Sequence, residues 1–177
     1  MIVMELCPGG SLISRLRKDK FTHATKRRFC KEIAAGMAYL EKEGIIHRDL
    51  AARNVLLNKD DVCKISDFGL SLLGKLHREK KMTKVPIRWL SPETLSQGTF
   101  TSKSDVWSYG VTMWEVFSNG QLPYGHIKET KAVRHAVVKE GLRLHAMPEM
   151  QPLDVSVFNM CLVDSPDQRA TFAAIKN

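Results

Sequence analysis

The sequence predicts a mainly α-helical domain with a small β-hairpin. Three observations lead there: an amphipathic helical pattern over residues 25–43, a run over residues 105–117 that is apolar on almost every side, and two strand patterns joined by turn residues. The length of 177 residues fits about one domain and allows a buried core. We expect a helical bundle around a buried central helix, with the hairpin at the functional cleft.

Two helices are predicted in the first part of the chain. Residues 11–18 form a short helix with Ser11 as its N-cap. Residues 25–43 form a longer one, because apolar side chains recur at helical spacing on one face and charged side chains occupy the other. The apolar face consists of Phe29, Ile33, Met37 and Leu40, and the exposed face of Lys26, Arg27, Lys31 and Glu32. Gly44 stands where a helix stop belongs.

Short strands are predicted next, at residues 45–46, 55–57 and 62–65. Residues 58–61, Asn-Lys-Asp-Asp, have turn chemistry, so the last two strands should pair as a hairpin. Residues 72–84 are rich in Lys, His and Arg and show no clean period, and we interpret them as a mobile loop.

The second half of the chain is predicted to be helical. Residues 105–117 carry apolar side chains all round, which is typical of a helix buried at the centre of a fold. Two further runs, residues 129–139 and 153–163, predict helices that polar loops connect.

Composition and charge exclude several classes of protein. The chain is 44% hydrophobic and 26% charged, which excludes disordered, collagen-like and coiled-coil compositions. No apolar run approaches the roughly 20 residues of a membrane helix, and the first residues do not read as a signal peptide. The net charge of +8 suggests nucleic acid as a partner, but no basic stripe with interleaved aromatics supports it. We therefore expect an ordinary basic surface and no nucleic-acid partner.

The four cysteines, Cys7, Cys30, Cys63 and Cys161, bear on the compartment. None sits in a C-x-x-C pair, so we expect no zinc site, and the spacing does not suggest a disulfide framework. A reducing, cytoplasmic compartment fits this pattern better than an oxidising one.

The strongest functional signal is a pair of polar motifs around the predicted hairpin. Residues 47–54 read His-Arg-Asp-Leu-Ala-Ala-Arg-Asn, and residues 66–69 read Ser-Asp-Phe-Gly. Because the hairpin folds the chain back, Asp49, Asn54 and Asp67 can converge on one point. Two oxygen ligands and one further carboxylate suit Mg²⁺ bound to phosphates, and phosphoryl transfer needs metal ions and a base for the hydroxyl proton. The alternative is a chance order of turn and capping residues, which the combined pattern H-R-D-L-x-x-x-N plus D-F-G disfavours strongly.

These motifs resemble those of protein kinases, and almost the whole chain is similar to the C-terminal lobe of a tyrosine kinase. The resemblance implies the large lobe of the α+β kinase fold. It implies that Asp49 orients the acceptor hydroxyl and takes its proton, that Asn54 and Asp67 hold Mg²⁺, and that Arg53 supports the loop. Structural roles fall to His47, Arg48, Phe68 and Gly69.

The resemblance implies two further contacts that hold the lobe together. Ser91-Pro92-Glu93 stands where the family has A-P-E, and Glu93 should pair with Arg169. Asp105 should hold the backbone around the His-Arg pair of the first motif. The alternatives are an exposed charge at Arg169 and an ordinary acid at a helix N-terminus for Asp105.

The substrate class comes from two segments that resemble those of tyrosine kinases. Ala51-Ala52-Arg53 stands where serine/threonine kinases carry Lys-Pro-Glu. Residues 85–89, Val-Pro-Ile-Arg-Trp, resemble the platform on which a tyrosine ring rests, with Pro86 and Trp89 as its surface. The alternative for these two side chains is packing alone.

Residues 4–10, Met-Glu-Leu-Cys-Pro-Gly-Gly, resemble the hinge of the kinase domain. The resemblance implies backbone hydrogen bonds from Glu5 and Cys7 to adenine, with Leu56 under the base. With Met4 in the gatekeeper place, the segment is similar to the Fes/Fer group of non-receptor tyrosine kinases.

Two departures from the family pattern bear on activity. No G-x-G-x-x-G motif and no V-A-I-K lysine is found, so residues 1–177 are expected to comprise the hinge and C-terminal lobe without an N-terminal lobe. Residues 67–93, the activation segment, contain no tyrosine; Ser71 and Thr83 are the hydroxyls between Gly69 and Val85. The segment is also basic, through Lys75, His77, Arg78, Lys80, Lys81 and Lys84, which suggests steering of acidic substrates or simply a solvated loop.

The expected function is transfer of the ATP γ-phosphoryl group to protein tyrosines, with ATP and Mg²⁺ as cofactors. Without the phosphate-covering loop and its lysine, this chain alone is expected to show little or no activity. The alternative is a non-catalytic interaction module that competes for substrates or partners.

Overall fold

The computed structural model describes residues 4–79 and 85–176, and this part of the chain is mainly α-helical, as predicted. The helices are α1 (Leu12–Lys18), α2 (His23–Lys42), α3 (Pro92–Gln97), α4 (Ser102–Phe117), α5 (Thr130–Lys139), α6 (Pro152–Cys161) and α7 (Phe172–Ile175). The strands are β1 (Gly10–Ser11), β2 (Ile45–Ile46), β3 (Val55–Leu57), β4 (Cys63–Ile65), β5 (Leu72–Leu73), β6 (His77–Arg78) and β7 (Thr99–Phe100). Single 3-10 turns cover Ala52–Asn54, Phe68–Leu70 and Ile87–Trp89.

Helix α4 is the buried centre of the fold, which confirms the predicted central helix. It packs against α2 and α6, and Trp107 and Val111 are fully buried within it. The helix begins three residues before the predicted start because Thr101 and Ser104 form a capping box there. Helix α4 therefore lies at the centre of the core. Its first turn contacts the first polar motif.

Helix α2 confirms the predicted amphipathic pattern, with one exception on its exposed face. Its four predicted apolar residues are buried, and Gly44 follows its end in a left-handed conformation, with φ of 68°. The prediction that Lys26 is exposed is wrong, because only 1% of the residue is accessible to solvent. Its ammonium group pairs with the carboxylate of Glu149, which is 40% exposed. The aliphatic stem is thus buried while the charge keeps a partner at the surface.

The predicted hairpin is confirmed as the antiparallel pair of β3 and β4, with Val55 opposite Ile65. The side-chain oxygen of Asn58 accepts the N–H groups of Asp60 and Val62, both at 2.9 Å, which closes the turn. Strand β1 pairs with the other edge of β3 and completes a three-stranded sheet. This sheet joins the segment that resembles a hinge to the two polar motifs.

Residues 72–84, which we interpreted as a mobile loop, contain two short strands in the part that the structure describes. Strand β5 pairs with β2, and β6 pairs with β7. Each of these ladders is only two residues long, and the partner strands are distant in sequence. The local sequence pattern therefore does not predict them. Residues 80–84, with Thr83 and three of the basic side chains, lie outside the described residues.

The remaining predicted helices are present as α1, α5 and α6, and the sequence did not predict α3. The side chain of Ser11 caps α1, as expected, by accepting the N–H of Ser14. The cysteine thiols are free; Cys30, Cys63 and Cys161 are buried, and burial raises the pKa of each of these three. Within residues 4–79 and 85–176, the helices are too short or too polar to cross a membrane.

Candidate active site

Asp105, in the first turn of α4, anchors the start of the first polar motif. Its carboxylate accepts the N–H of His47 at 2.7 Å and that of Arg48 at 3.0 Å. Arg48 has φ of 72°, a left-handed conformation that costs energy in a residue with a side chain. Burial raises the pKa of Asp105 to about 7, and the two backbone hydrogen bonds oppose that rise. The buried carboxylate thus fixes a strained backbone just before Asp49.

Asp49 and Asn54 are held together at the two ends of one short loop. The carboxylate of Asp49 forms an ion pair with the guanidinium of Arg53, and its side chain is 15% exposed. The side-chain Nδ2 of Asn54 donates to the backbone carbonyl of Asp49 at 2.7 Å. Because that amide nitrogen is engaged, Oδ1 is the atom of Asn54 that remains for another ligand.

Ser66 joins this loop to the second motif. Its N–H and its hydroxyl donate to the carbonyl of Asn54, at 2.9 and 2.8 Å. Asp67 follows directly, in a left-handed conformation with φ of 61°, and its exposed carboxylate accepts the N–H of Gly69 at 3.3 Å. The two loops that carry Asp49, Asn54 and Asp67 are therefore tied to each other at neighbouring residues.

His47 adds a second link between the loops. Its Nδ1 accepts the N–H of Asp49 at 3.2 Å, so Nε2 carries the proton and donates to the carbonyl of Ser66 at 2.9 Å. Burial lowers the pKa of His47, which favours this neutral imidazole. The ring of Phe68 lies 5.3 Å from the imidazole between centroids, and about half of Phe68 remains exposed.

The segment that resembles a substrate platform lies against the same loop. The guanidinium of Arg53 lies over the ring of Trp89, with 4.5 Å from Cζ to the ring centroid. Pro86 precedes the 3-10 turn that contains Trp89 and is half-buried. Trp89 is thus in direct contact with the side chain that pairs with Asp49.

Glu115, which sequence reasoning missed, connects the platform to the loop. Its Oε2 accepts the indole N–H of Trp89 and the backbone N–H of Ala52, both at 2.9 Å. The residue is 2% exposed, and burial raises its pKa. An acid within the apolar run of α4 was the signal that could have revealed it, because a buried carboxylate needs donors.

Arg88 was missed as well, and it fixes the platform from the other side. Its buried guanidinium donates to four backbone carbonyls at 2.7 to 3.1 Å. The acceptors belong to Pro123, Tyr124, Ile127 and Lys128. No local pattern in the sequence announces this contact, because the acceptors are backbone atoms some 35 or more residues away.

Glu93 and Arg169 form a two-point ion pair, at 2.8 and 3.1 Å. The side chain of Arg169 is fully buried and also donates to the carbonyls of Lys103, Val163 and Asp164. The exposed-charge alternative for Arg169 is therefore wrong. This pair ties the first turn of α3 to the segment near the end of the chain that carries Arg169.

The segment that resembles a hinge lies along the three-stranded sheet. The N–H of Gly9 donates to the carbonyl of Leu57 at 2.9 Å, and the carbonyl of Cys7 accepts the N–H of Gly10 at 3.3 Å. The carboxylate of Glu5 is exposed and pairs with Lys64 at 3.2 Å. Leu56 is half-buried in β3, opposite Ser11 of β1.

Comparison with known proteins identifies the class. The family model for protein tyrosine and serine/threonine kinases matches residues 1–177, and the chain belongs to this family.

Individual relatives are named as kinases, two of the following three as tyrosine-protein kinases. The chain is 41% identical to Fer-related kinase 1 of Caenorhabditis elegans over 176 residues, which covers 99% of this chain and 45% of the relative. It is 40% identical to tyrosine-protein kinase Fer of Homo sapiens over 180 residues, covering 99% of the chain and 22% of that protein. Tyrosine-protein kinase Btk of Drosophila melanogaster is 38% identical over 180 residues, which covers 98% of this chain and 23% of that protein.

The predicted resemblance to Fer-type tyrosine kinases is thereby confirmed. The chain spans less than half the length of each of these relatives.

Proposed function

We propose that this chain is the catalytic lobe of a protein tyrosine kinase, which transfers the γ-phosphoryl group of ATP to a tyrosine of a protein substrate. The observation that carries the proposal is the junction at Ser66, because it ties the loop of Asp49 and Asn54 to the loop of Asp67. Membership of the kinase family supports the same conclusion.

The donor atoms around this junction fit a magnesium–nucleotide complex. Oδ1 of Asn54 and the exposed carboxylate of Asp67 would supply oxygen ligands, the type that Mg²⁺ prefers, alongside the phosphates of the nucleotide. When bound, the metal neutralises charge on the phosphates during transfer. Backbone groups of Glu5 and Cys7 and the side chain of Leu56 are proposed to hold adenine.

Asp49 and the platform residues are proposed to handle the acceptor tyrosine. The carboxylate of Asp49 orients the hydroxyl and receives its proton as the hydroxyl oxygen bonds to the γ-phosphorus and the bond from that phosphorus to ADP breaks. Arg53 holds that carboxylate and lies on Trp89, so it couples the base to the surface on which the tyrosine ring would rest. Pro86 borders this surface.

The proposed partners are proteins that carry an accessible tyrosine. Four unpaired thiols fit a reducing compartment, so we place the protein in the cytoplasm as part of the proposal.

A phosphoryl-transfer assay tests this proposal. Residues 1–177 comprise, in our proposal, the hinge and the large lobe, so the isolated chain should transfer little radiolabelled phosphate to a Glu/Tyr copolymer. The same chain joined to the small lobe of Fer should label the copolymer on tyrosine, because the glycine-rich loop and lysine then cover the phosphates.

Two outcomes would contradict the proposal. Label found on serine or threonine of a mixed peptide set would refute the substrate class. No label from the joined protein, while Fer itself is active under the same conditions, would refute the activity.

A second candidate is a non-catalytic module that binds partners or substrates. Exposed apolar side chains in the hinge-like segment and at the second motif favour it: Met4 and Leu6 are each 83% exposed, Phe68 49% and Leu70 40%. Stabilisation of the chain by Mg-ATP in a thermal shift assay would favour the kinase, and substrate capture without any nucleotide effect would favour the module.

A further inference from the structure

Arg48, the residue before Asp49, carries a largely buried cation. Its side chain is 9% exposed, and its guanidinium lies over the ring of Phe100 at 4.2 Å. In the described part of the chain, its Nε is buried without a hydrogen-bond partner. A desolvated cation is costly unless an anion lies close by. The anionic partner of this guanidinium therefore contributes to the stability of the backbone around Arg48.

Glu79, in the activation segment, supplies that anion. Its Oε2 accepts from Nη2 of Arg48 at 3.1 Å, while Nη1 points to the carbonyl of Leu70 at 3.4 Å. The hydrogen bond from Arg48 lowers the pKa of Glu79, and His77, with Nε2 at 3.6 Å from the same oxygen, acts in the same direction. Glu79 is therefore ionised at neutral pH.

The backbone at Glu79 is fixed too. Strand β6 pairs with β7, and the N–H of Glu79 extends this ladder by donating to the carbonyl of Gly98 at 2.9 Å. Gly98 has φ of 68°, and a Cβ there would collide with the carbonyl of Glu79. The segment thus meets Arg48 through its carboxylate, while Asp105 holds the backbone of Arg48 from the other side.

Kinase activation segments are often ordered by phosphorylation, which creates new pairs between arginine and phosphate. Residues 67–93 contain no tyrosine, yet Arg48 already has an anionic partner there. We propose that Glu79 is a positioning residue whose permanent charge ties the activation segment to the catalytic loop through Arg48, without phosphorylation of the segment. The catalytic consequence rests on the proposed function; the ordering rests on the ion pair.

Three variants separate charge from shape. Glu79→Gln removes the charge at nearly constant size, and Glu79→Asp keeps the charge. Glu140→Gln is the matched control, since Glu140 is an exposed carboxylate that also pairs with a histidine, His135, at 2.9 Å.

Hydrogen exchange on the 177-residue chain measures the ordering. We expect protection of the amide at position 79 to fall about tenfold in Glu79→Gln, because the ladder to Gly98 opens more often without the ion pair. Protection should stay within about threefold of the original in Glu79→Asp and be unchanged in Glu140→Gln.

Two results would overturn the proposal: unchanged protection in Glu79→Gln, or equal losses in the Gln and Asp variants, which would mean that shape alone matters. Exchange does not require phosphoryl transfer, so its outcome stands whether or not kinase activity is found. In an active form of the protein, Glu79→Gln should lower kcat more than it changes the peptide KM, and phosphatase treatment of the original protein should leave kcat unchanged.

Discussion

Asp49→Asn should abolish measurable phosphoryl transfer while leaving the fold intact. The amide is close in size to the carboxylate but cannot receive the tyrosine proton, and loss of a general base typically costs 10²- to 10⁴-fold in rate. The measurement is kcat for a tyrosine peptide, in a form of the protein that carries the small lobe as well. The thermal midpoint, measured in parallel, should change little, because the backbone N–H of Asp49 still donates to His47.

Asp60→Asn is the matched control for this variant. Asp60 lies exposed in the turn of the β3–β4 hairpin, close in sequence to the same motifs, and is assigned no role in catalysis. Its kcat should equal that of the original protein. Turnover retained in Asp49→Asn would remove Asp49 from the role of base.

Glu93→Gln should produce the largest loss of stability among the ion-pair changes considered. Arg169 is fully buried, and removal of one partner of a buried pair typically costs about 3–5 kcal/mol because the other charge stays desolvated. The three backbone carbonyls that Arg169 also contacts offset part of this cost, so the lower end of the range is expected. Urea unfolding of the 177-residue chain measures the change in the free energy of unfolding.

The exposed pair at Glu140 again provides the control. Glu140→Gln should change the free energy of unfolding by less than about 1 kcal/mol, since exposed ion pairs contribute little. If Glu93→Gln cost no more than this control, the pair would not be a principal tie of the lobe.

Sequence reasoning succeeded where one local pattern carried the structure. The period of α2 and the all-round apolar character of α4 predicted both helices, and Asn58 with its neighbours predicted the hairpin turn. The order of the polar motifs around that hairpin located Asp49, Asn54 and Asp67 on loops that the structure joins at Ser66.

Contacts between distant segments were beyond such patterns. Lys26 was assigned to the exposed face of α2 because it is charged. Its burial depends on Glu149, which lies more than 100 residues away in the sequence. Glu115 and Arg88 act through backbone atoms of other segments, which no spacing in the sequence encodes. The strands β5 and β6 escaped prediction for the same reason, because the strands with which they pair are distant in the sequence.

The position of a bound metal tests the central claim most directly. Crystals of the chain with Mn²⁺ in place of Mg²⁺ and a non-hydrolysable ATP analogue give that position from anomalous scattering. We expect the metal at about 2.0–2.2 Å from Oδ1 of Asn54 and from the carboxylate of Asp67, with the carboxylate of Asp49 facing the terminal phosphate. A metal bound elsewhere, or these three side chains turned toward different surfaces, would contradict the account.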